Sequence, residues 1–593
     1  MSQTDAGVKY GPVPLLIGVT GHRNLRHEDT VELEKRVSTI LQEYRTKYPY
    51  TPLVVLSPLA DGADRLVARV ALRLGLSLHV PLPMPRSIYL TDFADASRQE
   101  FEQLEKQAEQ VFELPLLDGN RDEDIRQHGA ARNKQYDAVG DYIARHCQAL
   151  IALWDGEPSE KIGGTADIVR WRLTELPLAA SSRLHPPDPV LSGPVIQVVT
   201  PREGRESPKA PLTIVKHYPK VLQHDAVPES TYVKIFERID KFNRDVTQQT
   251  DPAALQQSRE YLFPEAKAQQ LPRALQRTRD CFAAADVLAV QNQRQSFWSL
   301  KWILALVFAA VVTYEVLEQV LQIFAWAMLS YPIVLGVAYA TYYWAHWHDY
   351  QNKYQDYRAL AEGLRVQFFW RLAGLKDSVE ANYLRKQRVE MYWIRTAVRV
   401  LWGLQGGQYE ASASPVSPGQ QAERLQLVLQ HWIDDQHSFF SRRAETENHK
   451  HERFEKLVHI GMVVGLLLSL GIGLLFATPN PISHATHEWF EKSHWAEGIL
   501  IVLTSLPLLG AMVIHTYVEY RALSQQARQY RAMELLFANA RHQWQVLTQN
   551  PAADASVADM LGLIEELGKE ALVENADWVL LHRDRPLEVP HGK

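Results

Sequence analysis

Short hydrophobic runs alternate with helix-like stretches along the N-terminal third of the chain. Five runs have the length of β-strands, and they lie at residues 15–19, 53–56, 76–80, 149–153 and 195–199. Between them apolar positions recur at helical spacing, and the polar region 92–145 is predicted to be helical. Strands that alternate with helices pair in parallel, because a parallel neighbour requires a long crossover. The pattern therefore predicts a doubly wound, Rossmann-like α/β parallel sheet at the N-terminus.

Longer hydrophobic runs follow, and they exceed what a buried globular helix needs. They form two pairs, residues 302–314 with 320–344 and residues 457–477 with 498–514. A bilayer core about 30 Å thick takes roughly 20 helical residues to cross. We therefore predict an all-α membrane domain with four transmembrane helices in two hairpins. No acidic or basic residue lies deep in any run, so the pattern does not predict a proton relay or a coupled transporter.

Composition and charge narrow the setting of the protein. The 593-residue chain has a formal net charge of −6, which argues against nucleic acid as a partner. Basic residues flank the four runs on the side of the termini and are sparse in the connections within the hairpins, so both termini are predicted to be cytoplasmic. The two cysteines, Cys147 and Cys281, fit a reducing compartment. The histidines between residues 437 and 459 lack metal-ligand spacing, so no metal is expected.

Glycine, hydroxyl and charged residues cluster just after the predicted strands. Ligands of open α/β sheets bind at this carboxyl-terminal edge. Glycine lets a backbone approach a phosphate closely, and the start of a following helix offers free N–H groups, although a turn can also require glycine for its geometry alone. We predict that these segments converge on one nucleotide-type crevice. Its candidate residues are Gly18, Thr20, Gly21, His22, Arg23, Ser57, Asp61, Gly62, Ala63, Asp64, Arg65, Asp155, Gly163, Gly164, Thr165 and Asp167.

Three segments in this set resemble a known superfamily. They are GVTGHR at 18–23, LADGADR at 59–65 and GGTAD at 163–167. Together they resemble the SLOG superfamily, which includes the LOG-type cytokinin-activating hydrolases, DprA-like proteins and the N-terminal domains of TRPM channels. The resemblance covers roughly residues 13–203. It implies a domain that binds a nucleotide-derived ligand, such as an ADP-ribose-like molecule or a cyclic nucleotide, without a further cofactor.

The chain departs from the hydrolase members of that superfamily at one informative place. Their pattern has a glutamate three residues after the threonine, where this chain has Ile168 after Thr165. Asp167 lies one position earlier, and on a helix one position turns a side chain by about 100°. We therefore expect a ligand-binding sensor without turnover. The alternative is a membrane-anchored nucleotide hydrolase with Asp167 and Arg65 as catalytic residues, and a third reading is a structural membrane organiser.

The membrane hairpins carry a second resemblance. The sequence Tyr-Arg-Ala-Leu follows each hairpin, at 357–360 and 520–523, and predicts a duplicated unit, unless the four-residue match is chance. A hairpin followed by this sequence motif resembles the two-span SLATT modules. The role that this resemblance implies is membrane disruption or pore formation in bacterial conflict systems. The alternative interpretation of the same motif is an ordinary amphipathic helix.

The third hydrophobic run has a small residue at every fourth position, namely Gly461, Gly465, Ser469 and Gly473. Such a stripe lets two helix backbones approach closely in lipid. We predict that it packs against a neighbouring helix, in a chain expected to form a homo-oligomer.

These observations define the predicted organisation and function. The predicted divisions are a SLOG-like domain at 13–205, a linker with helices at 206–271, the first hairpin with cytoplasmic helices at 272–404, a flexible connector at 405–420, the second hairpin with cytoplasmic helices at 421–550, and an amphipathic helix and tail at 551–593. The expected protein is a multi-pass effector of a bacterial inner membrane. A small nucleotide-derived signal would bind its cytoplasmic domain and trigger permeabilisation of the lipid bilayer, in antiphage or other conflict defence.

Overall fold

The computed structural model describes residues 12–117, 119–158, 164–174, 192–221, 225–321, 323–384, 391–404, 417–477, 494–549 and 553–583. Three parts of the sequence-based predictions lie outside these ranges. They are Gly163, most of the connector predicted at 405–420, and residues 584–593 of the predicted tail.

The described ranges contain β-strands in the N-terminal part of the chain and long helices beyond it. The strands are β1 (Leu15–Gly21), β2 (Leu53–Leu56), β3 (Ser77–Leu82), β4 (Gln110–Glu113), β5 (Ala149–Trp154), β6 (Val195–Val199), β7 (Ile214–His217), β8 (Lys220–Val221) and β9 (Asp225–Ala226). The helices are α1 (Thr30–Lys47), α2 (Ala63–Arg73), α3 (Arg86–Tyr89), α4 (Asp95–Glu105), α5 (Asp122–Arg126), α6 (Ala130–His146), α7 (Thr165–Thr174), α8 (Glu229–Gln249), α9 (Pro252–Leu262), α10 (Glu265–Ala268), α11 (Arg273–Glu315), α12 (Phe324–His348), α13 (Tyr350–Ala373), α14 (Tyr392–Gly403), α15 (Pro418–Val428), α16 (Asp434–Ala477), α17 (His494–Arg521), α18 (Leu523–Gln549) and α19 (Ala553–Arg583).

Seven strands form one sheet in the order β4-β3-β2-β1-β5-β6-β7. Strands β1 to β6 pair in parallel, and β7 pairs antiparallel with β6 at one edge. The central strand β1 is apolar because it is covered on both faces, and Leu15, Leu16 and Ile17 are fully buried. The predicted fold class, an α/β sheet followed by an all-helical region, is confirmed.

Two strands of the sheet were not predicted from the hydrophobic pattern. Strand β4 lies within the region 92–145, which was predicted to be helical throughout, and it alternates half-buried and exposed residues at the other edge. Strand β7 lies within the region 206–271, which was predicted to be a linker. Edge strands are half exposed, so neither presents the continuous apolar run that marks the inner strands.

The region 206–271 also contributes helix α8 to the α/β fold. The Asn243 side chain lies on this helix and bonds both backbone groups of Val13, at 2.8 Å to its nitrogen and 2.9 Å to its oxygen. Asp240 accepts hydrogen bonds of 2.8 Å from the Tyr50 backbone and from the Thr51 hydroxyl. These bonds attach the helix to the segments that lead into β1 and β2, so this region is part of the folded unit and does not behave as a linker.

The chain divides into two compact units, and each is discontinuous in sequence. The first comprises residues up to 288, 359–426 and 564–576, and the second comprises 289–358, 427–563 and 577–593. In the first unit, segments that follow the first hairpin join the α/β fold. The Tyr142 hydroxyl donates to the Gly403 carbonyl at 2.6 Å, and the Trp370 indole donates to the Ile564 carbonyl at 3.1 Å.

The second unit holds the apolar helices. Four helical stretches are long and apolar enough to cross a membrane, within residues 273–320, 324–373, 418–474 and 498–549. Between 6% and 17% of the most apolar window of each stretch is buried inside the chain, so most of this apolar surface has no protein cover in the described ranges. Surfaces of this size on a water-soluble monomer are rare. The helices fit a multi-pass membrane protein, as predicted.

The small-residue stripe packs over only half of its length. Helix α16 lies against α17 there: a Cβ added at Gly461 would come within 2.9 Å of the Pro507 carbonyl oxygen, and one at Gly465 within 2.6 Å of the Leu508 side chain. At Gly473 an added Cβ would meet no described atom within 4 Å, and Ser469 is exposed. Within the described chain, the close approach therefore involves the first two positions of the stripe and not the last two.

Candidate functional site

The sheet has its topological switch point between β1 and β5. From β1 the chain proceeds through β2, β3 and β4 to one edge, and it then crosses back to β5 on the other side of β1. The connections that leave the carboxyl ends of β1 and β5 run in opposite directions, which opens a crevice between them. His22 and Arg23 follow β1 and Asp155 follows β5, so these predicted site residues do lie at the mouth of the crevice.

Three side chains from three strand ends meet at this edge. His22 is 7% exposed, and its Nε2 atom accepts hydrogen bonds of 3.0 Å from the Asp155 backbone N–H and from Nε of Arg202. The Arg202 Nε atom also lies 2.8 Å from the Asp155 carboxylate. Arg202 follows β6 and was not among the predicted site residues. Its position just after a predicted strand was the signal available in the sequence.

Burial sets the charge of His22. Desolvation lowers its pKa to about 4, and the nearby Asp155 carboxylate opposes this shift without cancelling it. The imidazole is therefore neutral at pH 7. The Nε2 atom also lies 3.3 Å from the Asp155 carboxylate. The cluster accordingly presents one carboxylate, one guanidinium and one neutral imidazole at the ends of β1, β5 and β6.

The glycines of the predicted crevice are in contact with the chain's own atoms. Gly62 has a φ of +83°, and an added Cβ would overlap the carbonyl oxygens of His22 and Arg23. The next residue, Ala63, donates its N–H to the His22 carbonyl at 3.1 Å. Gly62 is therefore required where the turn after β2 packs on the turn after β1.

Two more glycines have similar packing reasons. A Cβ at Gly18 would lie 2.7 Å from Ile143 on α6, and one at Gly21 would lie 2.8 Å from the Leu153 carbonyl oxygen. Both residues belong to β1, as does Thr20, which is buried in the strand. The predicted approach of these glycines to a phosphate stays a prediction, since close protein packing already accounts for them.

Arg65 is a structural residue of the turn after β2. Its side chain is 1% exposed, and it donates to the Leu59 carbonyl at 2.9 Å and to the Ser97 hydroxyl at 2.7 Å. It also forms an ion pair of 2.8 Å with Asp61 and lies over the Phe93 ring. These contacts stabilise the turn, where Leu59 takes a positive φ of 56°.

Asp64 is the titratable group of this turn whose pKa is most clearly shifted. It is 8% exposed, and burial raises its pKa to about 7, against the opposing charge of Arg23. Its backbone carbonyl accepts a 3.0 Å hydrogen bond from the Ser57 hydroxyl. Arg23 itself is exposed and lies over the Tyr136 ring, with the guanidinium carbon 5.3 Å from the ring centre. A carboxyl group with a pKa near 7 can exchange a proton at physiological pH.

The remaining predicted residues lie at the start of α7, which Thr165 begins. The Gly164 carbonyl accepts from the Asp167 backbone N–H at 2.9 Å, and the Asp167 carboxylate pairs with Arg170 at 2.7 Å. Asp137 on α6 has a raised pKa, first because it is partly buried and second because of the negative charge of Asp167. The charge of Asp167 on α7 therefore acts on a carboxyl group of α6.

The described residues at this edge form no metal site. Among them, no group of three histidine, cysteine or acidic side chains is arranged to hold a metal ion. A cavity of about 30 Å³ lies elsewhere, between α1, α8 and β7, where Tyr44, Lys216 and Tyr232 line it. A cavity of that size accommodates about one water molecule, so we assign the candidate site to the open crevice at the switch point.

The fold and the crevice define a class of protein: a multi-pass membrane protein with a doubly wound α/β domain. No protein-family model matches the chain, and no curated protein matches it.

Proposed function

We propose that the protein is a membrane effector whose α/β domain senses a nucleotide-derived ligand and whose apolar helices then permeabilise the membrane. The observation that carries the first half is the crevice at the switch point. It presents Arg23 and Arg202 as cationic groups for phosphate, with carboxylates beside them that can accept hydrogen bonds from sugar hydroxyls. Helix α7 begins at the same edge, and the positive end of its dipole favours a negatively charged group there.

Chain connectivity supports the second half of the proposal. Helix α11 is one continuous helix from Arg273 to Glu315, so its beginning belongs to the α/β unit and its end to the apolar unit. Within the α/β unit its first turns are anchored: Arg277 pairs with Glu109 at 2.8 Å, next to strand β4. The chain returns to the α/β unit at residue 359, within α13. Rearrangement of the α/β domain on binding is thus proposed to act on the first hairpin through α11 and α13.

The biological setting of the proposal comes from the SLOG and SLATT resemblances. They suggest a bacterial inner membrane, cytoplasmic termini, a homo-oligomer and a role in antiphage defence. The distribution of basic residues around the apolar runs is consistent with that orientation.

The test is a binding experiment on the full chain in lipid nanodiscs. We expect thermal stabilisation by one of a set of ADP-ribose-like and cyclic nucleotides, and we expect Arg23→Ala to weaken that binding about tenfold or more, the loss typical of one charged hydrogen bond. Arg73→Ala is the matched control, since Arg73 ends α2 and therefore lies toward the opposite edge of the sheet. Equal weakening by both variants, or binding that neither variant affects, would count against the crevice.

Permeability is measured separately on the same protein in dye-loaded vesicles. Ligand-dependent leakage is expected from the wild type and is expected to be lost in Arg23→Ala. Binding without leakage would retain the sensor and reject the proposed effector.

A hydrolase is the second candidate, and two observations favour it. Asp64 has a pKa of about 7, and the pKa of Asp137 is raised by its burial and by the charge of Asp167. Against it, Arg65 is 1% exposed, and its Nε and Nη1 atoms donate to protein acceptors. Release of free base from a nucleotide by the wild type, and its loss in Asp167→Asn, would favour the enzyme over the sensor.

A further inference from the structure

Glu315, the last residue of α11, lies deeper among the apolar helices than the hydrophobic pattern indicates. The Ser505 hydroxyl on α17 donates a hydrogen bond to its carboxylate. Ser505 is the eighth of the 17 residues in the uncharged run 498–514, about 10–14 Å from either end at 1.5 Å per residue. The carboxylate is therefore level with the middle of the fourth apolar helix, although Glu315 itself lies just outside the first apolar run at 302–314.

A second contact places Glu315 at the same depth on another helix. The ring of its neighbour Tyr314 packs edge-on against Tyr331 of α12, with the ring centres 5.6 Å apart. Tyr331 lies seven residues after Phe324, where α12 begins, which is about 10 Å inside that end of the helix. The contacts with α17 and with α12 therefore independently place this end of α11 about 10 Å inside the neighbouring helices.

The direction of α17 relative to α11 is also fixed by contacts. Near the middle of α11, the Arg521 guanidinium lies 3.9 Å from the centre of the Phe297 ring. Phe297 precedes Glu315 by 18 residues and Arg521 follows Ser505 by 16, so the two helices run antiparallel with matching lengths. The charged end of the pair is therefore far from Glu315.

The backbone around Glu315 is held closely. Residues Val316–Val320 form a π-helical turn, a feature often found at functional sites. A Cβ added at Gly498 of α17 would overlap the carbonyl oxygen of Gln319 in that turn. Glycine at 498 thus lets α17 pack directly on the turn that follows Glu315, and this positions the carboxylate against Ser505.

The partners of Glu315 do not balance its charge. Within the part of the chain that the structure describes, its polar partner is the Ser505 hydroxyl, and no lysine, arginine or histidine pairs with it. The ionisable groups next to Glu315 are Tyr314 beside it, Glu318 in the π-turn and Tyr331 on α12, and none of them is cationic. The cationic residues of α17 and α12 lie at least ten residues, or about 15 Å, along these helices from Ser505 and Tyr331. They are His494, His515 and Arg521 on α17, and His346 and His348 on α12. An ionised carboxylate at this depth is strongly unfavourable unless a cation or a proton neutralises it.

We propose that Glu315, together with Ser505, is an intramembrane binding site for a small monovalent cation, either a proton or an alkali-metal ion. The carboxylate supplies the charge, and the serine oxygen supplies a second ligand or a hydrogen bond. The site does not depend on a nucleotide ligand or on permeabilisation, so it can be tested whether or not the proposed function holds.

The experiment uses the full chain in phospholipid vesicles and dicyclohexylcarbodiimide, a hydrophobic reagent that adds to protonated carboxyl groups and leaves a stable N-acylurea. Labelled residues are identified by mass spectrometry. We expect labelling at Glu315 and its loss in Glu315→Gln. Glu318, three residues away and without the Ser505 contact, is the internal control and is expected to label several-fold less.

The dependence of labelling on pH and on added cations then shows whether a proton or an alkali-metal ion neutralises Glu315. If labelling falls as the pH rises and does not change with added Na⁺ or K⁺ at constant ionic strength, the site binds a proton. If Na⁺ or K⁺ protects Glu315 from labelling and choline does not, the site binds an alkali-metal ion. Because Ser505 donates to the carboxylate, Ser505→Ala is expected to increase the labelling of Glu315 at a fixed pH. Labelling of Glu315 that is absent, or equal to that of Glu318 and indifferent to pH and cations, would overturn the proposal.

Discussion

The contact between α16 and α17 allows a matched test of helix packing in this chain. Alanine at Gly461 would bring its Cβ within 2.9 Å of the Pro507 carbonyl oxygen and 3.1 Å of the Ala511 side chain. The Pro507 oxygen is a backbone atom and cannot rotate away. The same substitution at Gly473, on the same helix, would meet no described atom within 4 Å. The two variants therefore share one chemical change and differ in what the added methyl group contacts.

The magnitude follows from two opposing terms. Replacing glycine by alanine inside a helix stabilises it by up to about 1 kcal/mol, and this term is common to both variants. Forcing a methyl group into a filled contact destabilises a protein by about 1–3 kcal/mol. The difference between Gly461→Ala and Gly473→Ala cancels the first term. We therefore expect Gly461→Ala to have a free energy of unfolding lower by about 1–3 kcal/mol than Gly473→Ala.

The assay is unfolding by sodium dodecyl sulfate in mixed micelles, followed by tryptophan fluorescence of the full chain. Gly465→Ala is expected to lie between the other two, because its added Cβ contacts the Leu508 side chain, which can change its rotamer. Equal unfolding free energies for the three variants would refute the reasoning, because the contact between α16 and α17 would then contribute nothing to stability.

Two further predictions concern the α/β domain, and both are measured as apparent melting temperatures. Gly62→Ala is expected to destabilise the domain by about 1–3 kcal/mol more than Gly75→Ala. Both residues have a positive φ, but only Gly62 is also packed against backbone atoms. Similar losses of stability in the two variants would show that backbone strain alone matters. Asp64→Asn removes a group whose folded pKa, about 7, lies above its ordinary value. The stability that its protonated form contributes to the wild type is complete below about pH 4 and is lost as the pH rises through 7, so the variant gains on the wild type across that window. A pH-independent difference would contradict the burial of Asp64, and His22, present in both proteins, cancels in the comparison.

The hydrophobic pattern alone determined the class of the fold and the number of apolar helices. The inner strands β1, β2, β5 and β6 are covered on both faces, so their sequences are continuous apolar runs. The transmembrane runs are equally evident, because lipid imposes a length and excludes charge. The edge strands β4 and β7 are half exposed, and this removes the pattern by which they would be found.

Tertiary structure alone decided which side chains act together. Arg202 reaches His22 across 180 positions of sequence, and Ser505 reaches Glu315 across 190. Such pairs depend on the order of strands and on the register between helices, which single residues do not encode. The glycines show the same limit. Their positions after the strands were visible in the sequence, but whether the space beside Gly62 is needed for a ligand or for the chain itself depends on what packs there, and the backbone of residues 22 and 23 occupies it.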